Sequence, residues 1–201
     1  MSRVIHRPLT GRQRPSANTR LTSSTAIALL LLLAAEGVTL LQLGRLLTWH
    51  IAIGLALVPP LTVKVAATVY RFVRYYTGDH DYVERGAPHL ILRLLGPVEV
   101  VLTASLMGSG LLAYFWHHSG HYDQLMLIHK ASFVLWFGTT TIHVLGHLGE
   151  TLRHGGEDWV RRRRREVPGS LARQLLVAAA LLLGVYLAWW VYPSVAQWTR
   201  G

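Results

Sequence analysis

Two histidines fourteen positions apart in one apolar stretch are the first feature that suggests chemistry. They are His129 and His143, within HKASFVLWFGTTTIHVLGH at 129–147. On an α-helix they would fall within about 40° of each other around the axis and about 21 Å apart along it. One helix would then offer a ligating imidazole near each leaflet of a membrane, as two stacked b-type haems require. His50 opens a second apolar stretch, TWHIAIG at 48–54, and could pair with His129 across a flat macrocycle. Gly54, four residues on, shares its face and leaves room. Gly108 and Gly110 could do the same on another span.

Blander readings compete at each position. A histidine at a span end can be an interfacial polar residue, and glycines in spans commonly pack helices. An ionisable group well inside a span is functional by default. His147 fits a ligand, a propionate partner or an interfacial residue. HVLGH at 143–147 lacks the glutamate of an HExxH zinc protease. HHSGH at 117–121 fits a divalent-ion site or a solvated loop.

The elements that must position these residues are membrane spans. Of 201 residues, 51% are hydrophobic and only 15% charged, and the mean hydropathy is +0.32. Soluble domains carry about a quarter charged residues. Five stretches are near the ~20 residues a spanning helix needs. They are Ala26–Leu43, Ile51–Val69, Leu94–Trp116, Leu125–Leu148 and Leu171–Tyr192. Lipid cannot satisfy an open backbone, so each is expected as a helix. Pro59 and Pro60 predict a kink in the second, and Pro97 is expected in the first turns of the third. The expected fold is an all-α polytopic membrane protein, a four-helix transmembrane bundle core plus a fifth transmembrane helix. Residues 1–24 read as a disordered cytoplasmic segment, 25–148 as the core, 149–170 as a basic cytoplasmic loop, and 171–201 as the fifth helix with a short outer tail.

The net charge of +10 divides by side. Arginines crowd three segments: those before the first span, between the second and third, and between the fourth and fifth. Only Arg45 and Arg200 lie on the other side. The positive-inside rule then puts the N-terminus in the cytoplasm and the C-terminus outside. The first span reads as an uncleaved anchor, because its apolar run exceeds a signal h-region and no clear cleavage site follows. The charge is thus an orientation signal, and no soluble domain remains to bind nucleic acid. The Arg161–Arg165 run reads as a topology determinant or as a contact for anionic lipid or an acidic partner.

Four charges fall inside spans. Lys64 and Glu99 are matched in depth and could pair, while Lys64 could instead meet a haem propionate. Lys130 can snorkel outward. Glu36 has no depth-matched cation, which suggests a protonated group or a proton path. The absence of cysteine excludes disulfides, iron–sulfur clusters, thiolate zinc sites and covalently attached haem.

The segments TWHIAIG at 48–54 and HKASFVLWFGTTTIHVLGH at 129–147 resemble the bacterial membrane cytochrome b subunits of formate dehydrogenase and nickel-iron hydrogenase. The likeness covers roughly residues 26–148. It implies a bacterial inner-membrane location and an outer haem b held by His50 and His129. It implies a second, inner haem on His143, paired in the family with a histidine near the start of the first span. This chain has RLTSSTAIA at 20–28, with no histidine. That leaves His89, or His147 in place of His143, as candidate inner ligands.

The resulting expectation is a b-type haem electron-transfer protein that touches membrane lipid and uses a quinone or a redox partner subunit. No nicotinamide, flavin or iron–sulfur motif is present, so catalysis would need that partner. A non-redox scaffold, with histidines as polar glue between helices, is the second reading. A small ion or metal transporter using Glu36, Lys64 and the histidines is the third.

Overall fold

The computed structural model describes residues 17–83, 90–155 and 169–200, and these are almost entirely helical. Helix α1 is Ala17–Leu41, α2 Leu43–Tyr76, α3 the single turn His80–Val83, α4 Leu90–Phe115, α5 Tyr122–Gly155 and α6 Ser170–Arg200. Five of them, all but α3, are long and apolar enough to cross a membrane, matching the five expected spans. Helices close their backbone hydrogen bonds within themselves, which is what a lipid environment demands of such apolar chains. Large apolar side chains face outward, with Leu41 81%, Leu31 71% and Trp189 71% exposed. That surface suits lipid and would be unfavourable in water.

Several helix limits differ from the expected ones. α1 begins at Ala17, so residues 17–24 are helical rather than part of an unstructured segment. The hydroxyls there explain it: Thr22, Ser23, Ser24 and Thr25 are all buried, and Thr25 Oγ1 donates to the Leu21 carbonyl at 2.8 Å. α2 begins at Leu43, so His50 lies about 10 Å inside the helix rather than at its first residue. Pro97 lies at the end of the second turn of α4, as expected; it removes one donor without ending the helix. α2 runs on through Pro59 and Pro60, and Pro60 is fully buried.

Tight connections set the register. Gln42 alone separates α1 from α2 (φ −139°, ψ 50°), and its carbonyl accepts from Arg45 N and Leu46 N at 2.9 and 3.0 Å. At the opposite end, Gly78 takes φ +81° after α2, and Asp79 pairs with Arg74. At about 51 Å, α2 outruns the ~30 Å hydrocarbon layer. Its overhang carries Tyr75 and Tyr76 against Arg93, whose Nε donates to Tyr76 Oη at 2.7 Å. Aromatic and basic residues of this kind mark a membrane–water interface.

α1 packs on α2 and α5, α4 packs on α5, and α2 touches α4 only lightly. The four helices form a ring whose thin α2–α4 side leaves room inside. The fifth span, α6, lies outside that ring but packs closely along α2. A Cβ on Gly184 would fall on the Ala56 carbonyl, so the two backbones are in near contact, as small residues permit. Val191 and Val195 of α6 form a core cluster with Leu55 of α2, joined by Ile51, Leu111 and Tyr114. Thr48 to Thr199 at 2.5 Å and Tyr114 to Ser194 at 2.9 Å tie α6 at the Gln42 end.

Candidate functional site

The ring encloses a cavity of about 350 Å³ in its half nearer Gln42, within the ~300–1,000 Å³ usual for small-molecule and cofactor pockets. Its walls are mostly leucine, methionine and aromatic side chains. Glu36 of α1, His50 of α2, and His129 and Lys130 of α5 bring ionisable groups to it. Trp198 of α6 also lines it, so the fifth span contributes to the site.

Both histidine rings are held by their Nδ1 atoms. His50 Nδ1 lies 2.9 Å from Glu36 Oε1 and 3.2 Å from Thr39 Oγ1. The single-residue turn at Gln42 brings Glu36 and Thr39 opposite His50. The Thr39 hydroxyl donates to the Glu36 carbonyl at 2.5 Å. On the other side, His129 Nδ1 donates to the Leu106 carbonyl at 3.0 Å. The ring can approach α4 that closely because of Gly110. A Cβ there would lie 2.9 Å from His129 Cε1 and 3.0 Å from Nδ1. With Nδ1 carrying the proton, Nε2 keeps the lone pair in each neutral ring.

The two rings stand 6.4 Å apart between centres, with planes at 79°. A metal ion shared end-on by two imidazoles needs about 2.0 Å to each nitrogen. A ring with bonds of about 1.33–1.4 Å puts nitrogen roughly 1.2 Å from its centre. With both nitrogens on the line between them, the centres would then be roughly 6.4 Å apart. Fixing the outer nitrogen of each ring on an acceptor is how ligating histidines are commonly oriented. Two imidazoles set among apolar walls are the donor types that a bis-imidazole haem takes.

A second cavity, about 210 Å³, lies toward the Tyr76 end. The two cavities share Leu33, Leu61, Thr103 and Trp136, and Trp136 Nε1 donates to Thr103 Oγ1 at 2.9 Å. The second is the more polar: Thr22, Ser23, Lys64, Arg71, Glu99, Thr140 and His143 line it. Lys64 Nζ donates to the Thr22 carbonyl at 3.0 Å, and Thr140 Oγ1 donates to Glu99 Oε2 at 2.6 Å. Lys64 and Glu99, expected as a pair, thus share a cavity while each holds a partner of its own. Glu99 Oε1 is buried with no hydrogen-bond partner among the described residues.

Of the predicted residues, His50 and His129 meet in one cavity and His143 lines the next. α5 carries His129 and His143 inward, as their spacing implies. His89, the His147 side chain and Arg161–Arg165 lie outside the described residues. Gly54 lines the larger cavity, with Glu36 Oε1 3.6 Å from where its Cβ would be. Gly108 has nothing within 4 Å and does not line it. His117 turns its Nδ1 to the Tyr114 carbonyl at 2.6 Å and packs on His118 and Trp198. No group of three or more metal-ligating side chains occurs among the described residues.

Glu36 is the residue that span-by-span reasoning misplaces. Its partner is the ring of His50, not a cation matched by depth. Counting outward from a hairpin turn at Gln42 would have found it.

Comparison with family models, with curated proteins and with solved structures finds no match to this chain.

Proposed function

We propose that this chain is a membrane-embedded b-type cytochrome that passes electrons within or across a bacterial inner membrane. The carrying observation is the pair His50 and His129, 6.4 Å apart between ring centres and each pinned through Nδ1. A haem on these imidazoles supplies one-electron transfer between ferric and ferrous iron. The chain's own part is to present two Nε2 lone pairs, hold both ring planes and keep water away with apolar walls. Glu36 and the Leu106 carbonyl hold the rings, and Gly110 leaves the space in which the His129 ring lies.

The arginine distribution supports an orientation with the N-terminus in the cytoplasm. The His50–His129 cavity then lies toward the outer face and the polar cavity toward the inner one. In the polar cavity, Lys64 can donate to a quinone carbonyl oxygen and Glu99 Oε1 can accept from a quinol hydroxyl, and Leu29, Leu30 and Leu33 of α1 supply apolar wall for its tail. A redox partner subunit is the other outlet for electrons. His143 faces this same cavity. The α1 position where the resembling family carries a ligand holds the hydroxyls of Thr22–Thr25 instead, so a second haem would draw its other ligand from His89 or His147.

The test is an oxidised and a reduced visible spectrum of protein purified in detergent after haem-supplemented expression. A b-type spectrum that responds to reductant is expected. A flat spectrum overturns the reading in favour of a scaffold. A flat spectrum together with ion flux in proteoliposomes favours a transporter.

A further inference from the structure

We infer that Glu36 is a positioning residue that sets the reduction potential of the haem proposed above, and the inference rests on that reading. Glu36 lies inside a membrane span, where a carboxyl group is costly and usually functional. Its Oε1 takes the Nδ1 side of His50 at 2.9 Å, while Oε2 is buried with no hydrogen-bond partner among the described residues. The carboxyl group is aimed by what surrounds it. Thr39, one turn on, donates to the Glu36 carbonyl and stands 3.2 Å from the same His50 nitrogen. On α2, Gly54 leaves open the space beside Oε1, and a Cβ there would already be in contact at 3.6 Å.

The two ring-holding acceptors differ in kind. His129 leans on a neutral backbone carbonyl. His50 leans on an acidic side chain. An acidic partner raises the basicity of the imidazole behind it. The more basic ligand favours the ferric over the ferrous ion. The effect is enlarged where the local dielectric is low. Glu36 therefore acts on the iron through His50, lowering the potential while the Leu106 carbonyl leaves His129 an ordinary ligand.

A contact that only joins α1 to α2 would survive Glu36→Gln, because the amide oxygen still accepts from Nδ1. A tuning role would not, because the amide lacks the acidic group behind the imidazole. The experiment is an optically followed potentiometric titration of wild type, Glu36→Gln and Glu36→Asp at one pH, with haem content and thermal unfolding recorded alongside. Loss of an outer-shell partner typically costs 10–100-fold in metal affinity or activity. Glu36→Gln is expected to move the ferric/ferrous preference toward ferrous by about tenfold or more, at about 59 mV per decade for one electron. Glu36→Asp, which keeps the carboxyl group but draws back by one methylene, is expected to move it the same way and by less. An unchanged potential in haem-loaded Glu36→Gln overturns the inference and leaves the haem reading standing. If Glu36→Gln fails to fold or to retain haem, Glu36→Asp decides. A positive shift there supports the role, and an unchanged potential or lost haem overturns it. Wild type without haem overturns both the haem reading and this inference.

Discussion

Replacing Gly110 by alanine is the sharpest perturbation of the site, because a single methyl would collide with a single ring. Its Cβ would sit 2.9 Å from His129 Cε1 and 3.0 Å from Nδ1. Carbon atoms rest at about 3.5–4.0 Å, so the ring must retreat by roughly 0.5–1 Å. That retreat is away from α4, and it stretches the 3.0 Å bond to the Leu106 carbonyl past useful length. The bond itself is worth about 0.5–1.5 kcal/mol, and alanine recovers about 0.5–1 kcal/mol of helix propensity. Stability should therefore change little. Ligation should change much more, because a site holds its geometry within about 0.5 Å and a lost outer-shell bond costs about 10–100-fold in affinity. The assay is haem retention on dilution and competition in detergent, read beside the thermal midpoint. Gly108→Ala is the control, since nothing lies within 4 Å of a Cβ there. Gly110→Ala should lose haem 10–100-fold faster or more completely at a similar midpoint, while Gly108→Ala behaves as wild type. Equal haem retention in the two variants would refute the placement of His129 against α4.

Further expectations follow from the packing and polar contacts. Gly184→Ala puts a methyl on the Ala56 backbone carbonyl, which cannot turn aside; thermal unfolding in detergent should show a loss of about 1–3 kcal/mol, and an unchanged midpoint would contradict the close α2–α6 approach. Thr140→Val strips the donor from Glu99 Oε2 and should cost about 1–3 kcal/mol. Adding Glu99→Leu should return most of that loss, and a further equal loss would show that the pair is not the source. Because the chain has no cysteine, single cysteines report topology without background. Ser119→Cys should react with an impermeant maleimide in intact cells and Thr77→Cys only after permeabilisation, and the reverse pattern would invert the orientation.

The helices were legible because span length and apolar content are one-dimensional properties. Their ends were not, because Leu43–Thr48 and Thr22–Thr25 are neither markedly apolar nor helix-breaking, and neighbouring helices decide them. The inward turn of both His129 and His143 follows from helical periodicity alone. The meeting of His50 with His129 needed only two helices running the same way. Glu36 escaped because depth estimated from span edges is blind to a one-residue turn, which slides α1 against α2 and puts a carboxyl group opposite an imidazole. The close seat of α6 on α2 also escaped. α6 is apolar on all sides, so periodicity marks no packing face, and only the neighbouring carbonyl of Ala56 shows what Gly184 is for. Gly108 and Gly110 look alike in sequence, but only Gly110 has a ring against it.

The most direct measurement of the central claim is haem per chain in the purified protein, wild type against His129→Ala, with the fold checked by thermal unfolding. The account predicts at least one haem per chain in wild type and one fewer in His129→Ala at a retained fold. Wild type without haem, or a variant with the same haem ratio and the same redox spectrum, would contradict it.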